Sequence, residues 1–391
     1  MKKLITLSLI ILFCTRATSS VRANTSTLET KYATITSTVD HSYDKGTIPS
    51  ISLRSDSTLS KRFLSTLTSI VGLSRKPRAI VTDPKGKKII SQIIKNGDSE
   101  IKLKNNQINP GIYTLKVGDE VIDTFSYGVL AINSDKDLYI PGETAYLQLA
   151  ALDEYGHTLC SADLELTIAG QSFSTQNNTI HSSDTCGRDN VTDNPDYYLH
   201  LPLTQTGKYD MILTNRLTGA VFTQSLSVID KTEYQIKRIG ATRINPFKAN
   251  YQMTIEVTAF ADFTGTITDT LPDGFTVIDS QSSWQTSLSA GQTQKFSYIY
   301  HAKEQSPELF DLGPLQIGAY TENRVWHLAS DAACSSAGTG SWATAGTWAA
   351  PCNVSGGPVA GDVVTILAGH TITVGANAAA ASITINSPTT A

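Results

Sequence analysis

Charge is scarce in this chain. Asp, Glu, Lys and Arg make up 17% of 391 residues and the formal net charge is -4, so no basic field is available for nucleic acid or an anionic membrane. The signatures of common active sites are missing too: no G-x-S-x-G elbow, H-E-x-x-H helix, Walker loop, C-x-x-C pair or EF-hand loop occurs. None of the 7 histidines stands four residues from another. These absences point to a non-enzymatic protein. Long apolar runs are also lacking. The longest, Leu4 to Phe13, is about half of a membrane span. With Lys2 and Lys3 before it and Val21-Arg22-Ala23 after it, it reads as an export signal over residues 1–23, with the mature chain starting near Asn24 and holding no membrane-spanning segment.

The sequence has 5 cysteines, and removal of Cys14 with the signal leaves Cys160, Cys186, Cys334 and Cys352. An even number in an exported chain predicts disulfides. Three pairings are open. The sequential one, Cys160 with Cys186 and Cys334 with Cys352, keeps each bridge inside one domain and is the one expected.

What the sequence has in quantity is alternation with a period of two. Residues 24–77 are rich in Ser and Thr and read as an extended leader or first edge strand, with a short amphipathic helix carried by Leu59, Phe63, Leu64, Leu67, Ile70 and Val71. From Arg78 on, short alternating strands are separated by Asp-Pro-Lys-Gly, Asn-Pro-Gly and Gly-Asp turns. The expected domains are β-sandwiches over residues 78–130, 131–230 and 231–328. Residues 329–391 differ: VVTIL, TITVG and ASITIN are short strands between Gly and Asn turns, a spacing that suits stacked parallel rungs. From Ala332 on, Asp362 is the single charged side chain. The fold class expected is all-β, with tandem immunoglobulin-like sandwiches followed by the start of a right-handed parallel β-helix.

Three stretches carry resemblances. DKDLYIPGET, Asp135 to Thr144, followed by Asp153-Glu154-Tyr155-Gly156, resembles the macroglobulin-type domains of bacterial surface proteins and of the alpha-2-macroglobulin family. The resemblance implies an immunoglobulin-like sandwich turned at Pro141 and Gly142. Protease trapping is not implied, because that family's Cys-Gly-Glu-Gln thioester is replaced here by Cys186-Gly187-Arg188-Asp189. TDTLPDGFTV, Thr268 to Val277, is similar to a tandem repeat of envelope proteins, with Pro272 and Gly274 shaping a turn and Phe275 anchoring the next strand. WATAGTW, Trp342 to Trp348, with PVAGDVVTILAGHTITV, is similar to the opening of β-helical surface proteins and eight-glycine domains.

Two sets of ligand candidates remain. Asp184, Asp189, Asn190, Asp193 and Asp196 crowd oxygen atoms into one loop, and calcium takes roughly six to eight such oxygens. Calcium is the one cofactor these residues suggest, and a solvated, disulfide-tethered hairpin explains the same residues. Trp342 and Trp348 are candidates for stacking on a glycan, against the alternative of a hydrophobic cap on the first rung. The function expected is that of a secreted or cell-surface envelope protein, a stalk or adhesin base that contacts envelope, matrix or polysaccharide components. The alternatives are the N-terminal part of a β-helical carbohydrate-active enzyme and a small calcium-dependent secreted binding module.

Overall fold

Alternation is realised directly in strands. Gly111–Val117 buries every second residue, and Leu164–Ile168 and Tyr251–Ala259 do the same, since successive side chains of a strand point to opposite faces. The computed structural model describes residues 23–29, 34–40, 42–45, 47–56, 78–94, 97–103, 108–183, 186, 194–360, 362–375 and 378–386. Among them the chain is all-β, and the single helical element is the 3₁₀ turn Ala345–Thr347. The amphipathic helix expected around Leu59 to Val71 lies outside the described residues.

The first sandwich starts earlier than residue 78. Strands Ala23–Glu29, Thr34–Asp40, Ser50–Asp56 and Gly97–Lys102 form one antiparallel sheet in that order. The facing sheet runs Ser42–Tyr43, Glu120–Tyr127, Gly111–Val117, Arg78–Thr82 and Lys88–Ile93. The Ser- and Thr-rich stretch expected as a leader or first edge strand therefore supplies three strands of one sheet. Its strands need only one apolar face, and Ile35, Val39, Ile51 and Leu53 provide it against Val81, Leu115 and Phe125.

In the second sandwich, Leu130–Ser134, Thr144–Ala151, Tyr197–Pro202 and His181–Ser182 make one sheet, and Leu138–Tyr139, Val221–Val228, Gly207–Asn215, Leu164–Ile168 and Gln171–Ser174 the other. The chain changes sheets across residues 135–137: Ile132 pairs with Leu149 in the first, while Leu138 pairs in parallel with Ser227 in the second. In the third sandwich a core of Ile236, Met253, Ile255, Val257, Ile267, Tyr298, Trp326 and Leu328 is enclosed by sheets of four, three and four strands.

The C-terminal unit is built of parallel pairs. Cys334–Ser335, Val363–Ile366 and Ser382–Ile385 lie side by side, and Gly340–Ser341 pairs with Ile372–Thr373. Its core is Cys334, Trp342, Trp348, Cys352, Val364 and Ile366. Among the described residues no helix is long and apolar enough to cross a membrane.

Candidate functional site: a four-way junction

The chemistry-bearing side chains gather where the units meet. The DKDLYIPGET stretch is the first fastening. Asp135 accepts from the Tyr139 hydroxyl at 2.7 Å and from the Tyr146 amide at 3.0 Å, closing the corner on itself. Asp137 faces outward from the sandwich. Its Oδ1 accepts from the Ile236 amide at 2.8 Å, its Oδ2 accepts from the Tyr320 hydroxyl at 2.8 Å, and its own amide donates to Ile236 O at 3.0 Å. Burial pushes the Asp137 carboxyl up to about 6, against the pull of the Ile236 amide and the Arg324 charge. Burial, then the neighbouring Asp137, raises the Tyr320 hydroxyl. Glu143 closes the motif, accepting from the Ile140 amide at 2.9 Å and from Gln235 Nε2 at 2.9 Å, with Lys136 Nζ 2.6 Å away. Gly142 has φ +95°, which suits the third position of a Pro-Gly turn and disfavours other residues.

From the third sandwich, Arg324 reaches back. Its guanidinium donates to the carbonyl oxygens of Ser134 and Asp135. Behind it, Arg238 holds Asp269 through Nη1 at 2.9 Å and Nη2 at 2.6 Å, and holds Glu322 through Nη2 at 2.6 Å. Arg324 Nε stands 3.2 Å from Glu322 Oε1. Two guanidiniums and two carboxylates balance, which makes burial of the cluster tolerable. Burial works to raise the Glu322 carboxyl, but Arg238 and Arg324 outweigh it and hold it below the usual range.

The second fastening is the loop Asp153-Glu154-Tyr155-Gly156-His157. Asp153 Oδ1 accepts from the amides of Tyr155 and His157, both at 2.9 Å, and shapes the turn. Glu154 O accepts from the Ile112 amide of the first sandwich at 2.9 Å. Gly156 has φ +87°, and a Cβ there would stand 2.5 Å from Pro110 O and 3.1 Å from Pro307 Cβ. His157 then bridges outward: Nδ1 is 2.8 Å from Asp331 Oδ1 and Nε2 is 3.1 Å from Asp362 Oδ1. One loop of the second sandwich thus touches the first, the third and the C-terminal unit. Smaller contacts reinforce it. Ser42 donates to Val221 O at 2.7 Å, Lys45 pairs with Glu308, and Gln305 Nε2 donates to Asn109 Oδ1 at 3.2 Å.

The residues singled out from sequence fall elsewhere. Disulfides join Cys160 to Cys186 and Cys334 to Cys352. Of the calcium candidates, Asp184, Asp189, Asn190 and Asp193 lie outside the described residues. Asp196 is not a solvated loop ligand: it is buried and its Oδ1 stands 3.1 Å from Arg243 Nη1 of the third sandwich. Burial pushes its carboxyl up to about 6, against the Arg243 charge. Trp342 and Trp348 offer no face to a glycan, being 3% and 2% exposed. They pack edge to face at 5.1 Å between centroids, and their indole N–H groups donate to Pro358 O and Trp342 O. The reason is composition: with so few large side chains in the segment, its tryptophans are needed as core. The sequence does not single out His157, Asp331, Arg238, Glu322 or Arg324, whose ion pairs hold the junction. No local pattern marks them, because the partners are distant in the chain: His157 and Asp331 are 174 residues apart.

No family model matches the chain, and no curated protein matches it. Among solved structures, Escherichia coli alpha-2-macroglobulin activated by porcine elastase is similar at 10% identity and TM-score 0.23, over 77% of this chain and 33% of the other. Invasin, a bacterial integrin-binding protein, is similar at 11% identity and TM-score 0.19, over 78% of this chain and 61% of its own. The Escherichia coli adhesin FdeC is similar at 11% identity and TM-score 0.19, over 73% of this chain and 93% of its own. The chain spans less than two thirds of the first two.

Proposed function

We propose that the protein is an exported, non-enzymatic surface protein, a stalk or adhesin base in which tandem β units hold a distal surface in a fixed orientation. The observation that carries this reading is the junction. Side chains rich in charge are spent on fastening units to one another, through His157, Asp137, Arg324 and Arg243, in a chain where charge is otherwise scarce. Such contacts oppose the relative motion that is the default for linked domains. The start of the sequence, with its basic residues, apolar run and small-residue site, supports export, and two disulfides fit an oxidising destination. The C-terminal unit is read as the first rungs of a parallel β-helix, supported by the in-register parallel pairing of Val363–Ile366 with Ser382–Ile385.

The test is surface shaving of the protein's own intact cells, with thiol alkylation before lysis. Expected are loss of the protein to external protease, or its presence in the medium, and no alkylation of Cys160, Cys186, Cys334 or Cys352. Retention inside intact cells with four reactive thiols overturns the proposal. So does turnover of a polysaccharide by the purified chain.

A further inference from the structure

The junction contains one ring whose two nitrogens both face carboxylates. His157 is 2% exposed, and each of its ring nitrogens faces a carboxylate oxygen, of Asp331 at 2.8 Å and of Asp362 at 3.1 Å. A neutral imidazole has one N–H and one bare lone pair, so it serves only one of two carboxylates. The other solution, a proton on one of the acids, is opposed by their remaining oxygens. Asp331 Oδ2 accepts from the Thr158 amide at 2.7 Å, and Asp362 Oδ2 accepts from the Val359 amide at 2.7 Å. Burial works to raise both carboxyls, yet the bonds they receive hold both below the usual range. The geometry suits an imidazolium between two carboxylates.

We propose that His157 is a protonation-operated latch that fixes the C-terminal unit, Cys334 to Ile385, against the second and third sandwiches. Asp331 directly follows strand Trp326–Ser330, and Asp362 directly precedes strand Val363–Ile366. The one ring therefore pins the end of the third sandwich and the central parallel strand of the C-terminal unit. Loss of a proton turns one of the two contacts into a meeting of lone pairs in a dry site, where it is costly. The Asp362 side gives way, because its contact is the longer and its side chain is 8% exposed against 0% for Asp331.

The surrounding charges set the direction. Asp331 and Asp362 touch the ring. Lys85, from the turn after Arg78–Thr82, acts on Asp362. Asp196 acts on Asp331 and is itself paired with Arg243. Asp153, in the same loop as His157, is turned onto backbone amides, and Glu154 follows it. Two acids touch the ring while the cations stand farther out, so the charges nearest the ring favour its protonated form.

The experiment uses the full mature chain with both disulfides intact and imidazole nitrogens labelled, followed by long-range nitrogen–proton correlation across a pH titration from mildly acidic to alkaline. Expected at neutral pH is a His157 with both nitrogens protonated. One proton is lost in a single step at higher pH, and amide exchange at Val363–Ile366, corrected for intrinsic rate, accelerates over the same step while Leu147 and Leu149 stay protected. In Asp362→Asn the step moves down by about one to three pH units. His157→Gln, neutral throughout, should show no pH step in exchange at Val363–Ile366. A bare nitrogen on His157 at neutral pH overturns the proposal, and so does a titration step that leaves exchange at Val363–Ile366 unchanged. The wild-type titration decides even where a variant fails to fold.

Discussion

The Tyr320 hydroxyl of the third sandwich donates to Asp137 Oδ2 of the second at 2.8 Å, while the Ile236 amide donates to the other oxygen of the same carboxylate at 2.8 Å. Asp137 belongs to a stretch that, on sequence, opens a domain. In the structure it also fastens that domain to the one that follows. The two side chains predict different costs. Tyr320→Phe removes one bond to a charged acceptor and should cost about 1–3 kcal/mol. Asp137→Ala leaves three donors without their acceptor, the Tyr320 hydroxyl and the amides of Leu138 and fully buried Ile236, and should cost more than Tyr320→Phe. Urea unfolding of the full chain, followed by near-ultraviolet signals, measures both. Equal and small losses would remove Asp137 from the fastening.

Gly156 makes the packing of the four-way junction measurable. Its φ of +87° disfavours any Cβ, and the Cβ would also collide with the Pro110 carbonyl. Gly219, at φ +73°, has nothing within 4 Å of the same added atom. Gly219→Ala should therefore cost only the backbone strain of about 1–2 kcal/mol, and Gly156→Ala that strain plus displacement of the first sandwich. A melting temperature lowered equally by both would mean that the loop and Pro110 move apart freely.

What was legible in the sequence was periodic. Strands such as Gly111–Val117 and Tyr251–Ala259 announce themselves by alternation, and Pro141-Gly142 and Pro272-Asp273-Gly274 announce turns. Phe275 packs at 4.9 Å from Phe310 and 5.6 Å from Tyr300, in line with its expected role as an anchor. The strands at Thr34–Asp40 and Ser50–Asp56 were hidden because Ser and Thr fill their outer face and only Ile35, Val39, Ile51 and Leu53 mark the inner one. The junction was hidden for a different reason. His157 meets partners 174 and 205 residues away, and no local pattern records a contact at that separation. The tryptophans misled because burial, unlike alternation, depends on how many other large side chains a small unit has.

The two disulfides differ in what they hold. Cys160 to Cys186 closes a separation of 26 residues and Cys334 to Cys352 one of 18, so loop-closure entropy assigns each about 3 kcal/mol. The second sandwich has a large apolar core beside its bridge, whereas the C-terminal core is six buried residues that include both cysteines. Cys160→Ser with Cys186→Ser should lower the melting temperature and leave a folded domain. Cys334→Ser with Cys352→Ser should abolish the near-ultraviolet signal of Trp342 and Trp348. Retention of that signal in the reduced unit would show that the tryptophans pack without the bridge.

Stability should be greater at mildly acidic than at neutral pH, and the sign follows from which carboxyls burial has moved. Burial pushes Asp44, Asp137 and Asp196 each up to about 6, while an unfolded aspartate titrates near ~3.9. Between those two values the folded chain binds more protons than the unfolded one. The contribution of these groups is therefore fully present below about 4 and is lost as pH rises through about 6. Asp331, Asp362 and Glu322 act in the opposite sense. Each is held below its usual range against the effect of burial, so their contribution is present above the unfolded value and is lost as pH falls beneath it. The second set is unaffected as pH rises through about 6, so the loss from the first set decides the trend there. Scanning calorimetry at constant ionic strength should give a higher melting temperature at pH 5 than at pH 7.5, and Asp196→Asn should shrink the difference by removing one buried charge that neutral pH imposes. A melting temperature that rises from pH 5 to pH 7.5 would mean that Arg243 and the junction amides, rather than burial, dominate these carboxylates.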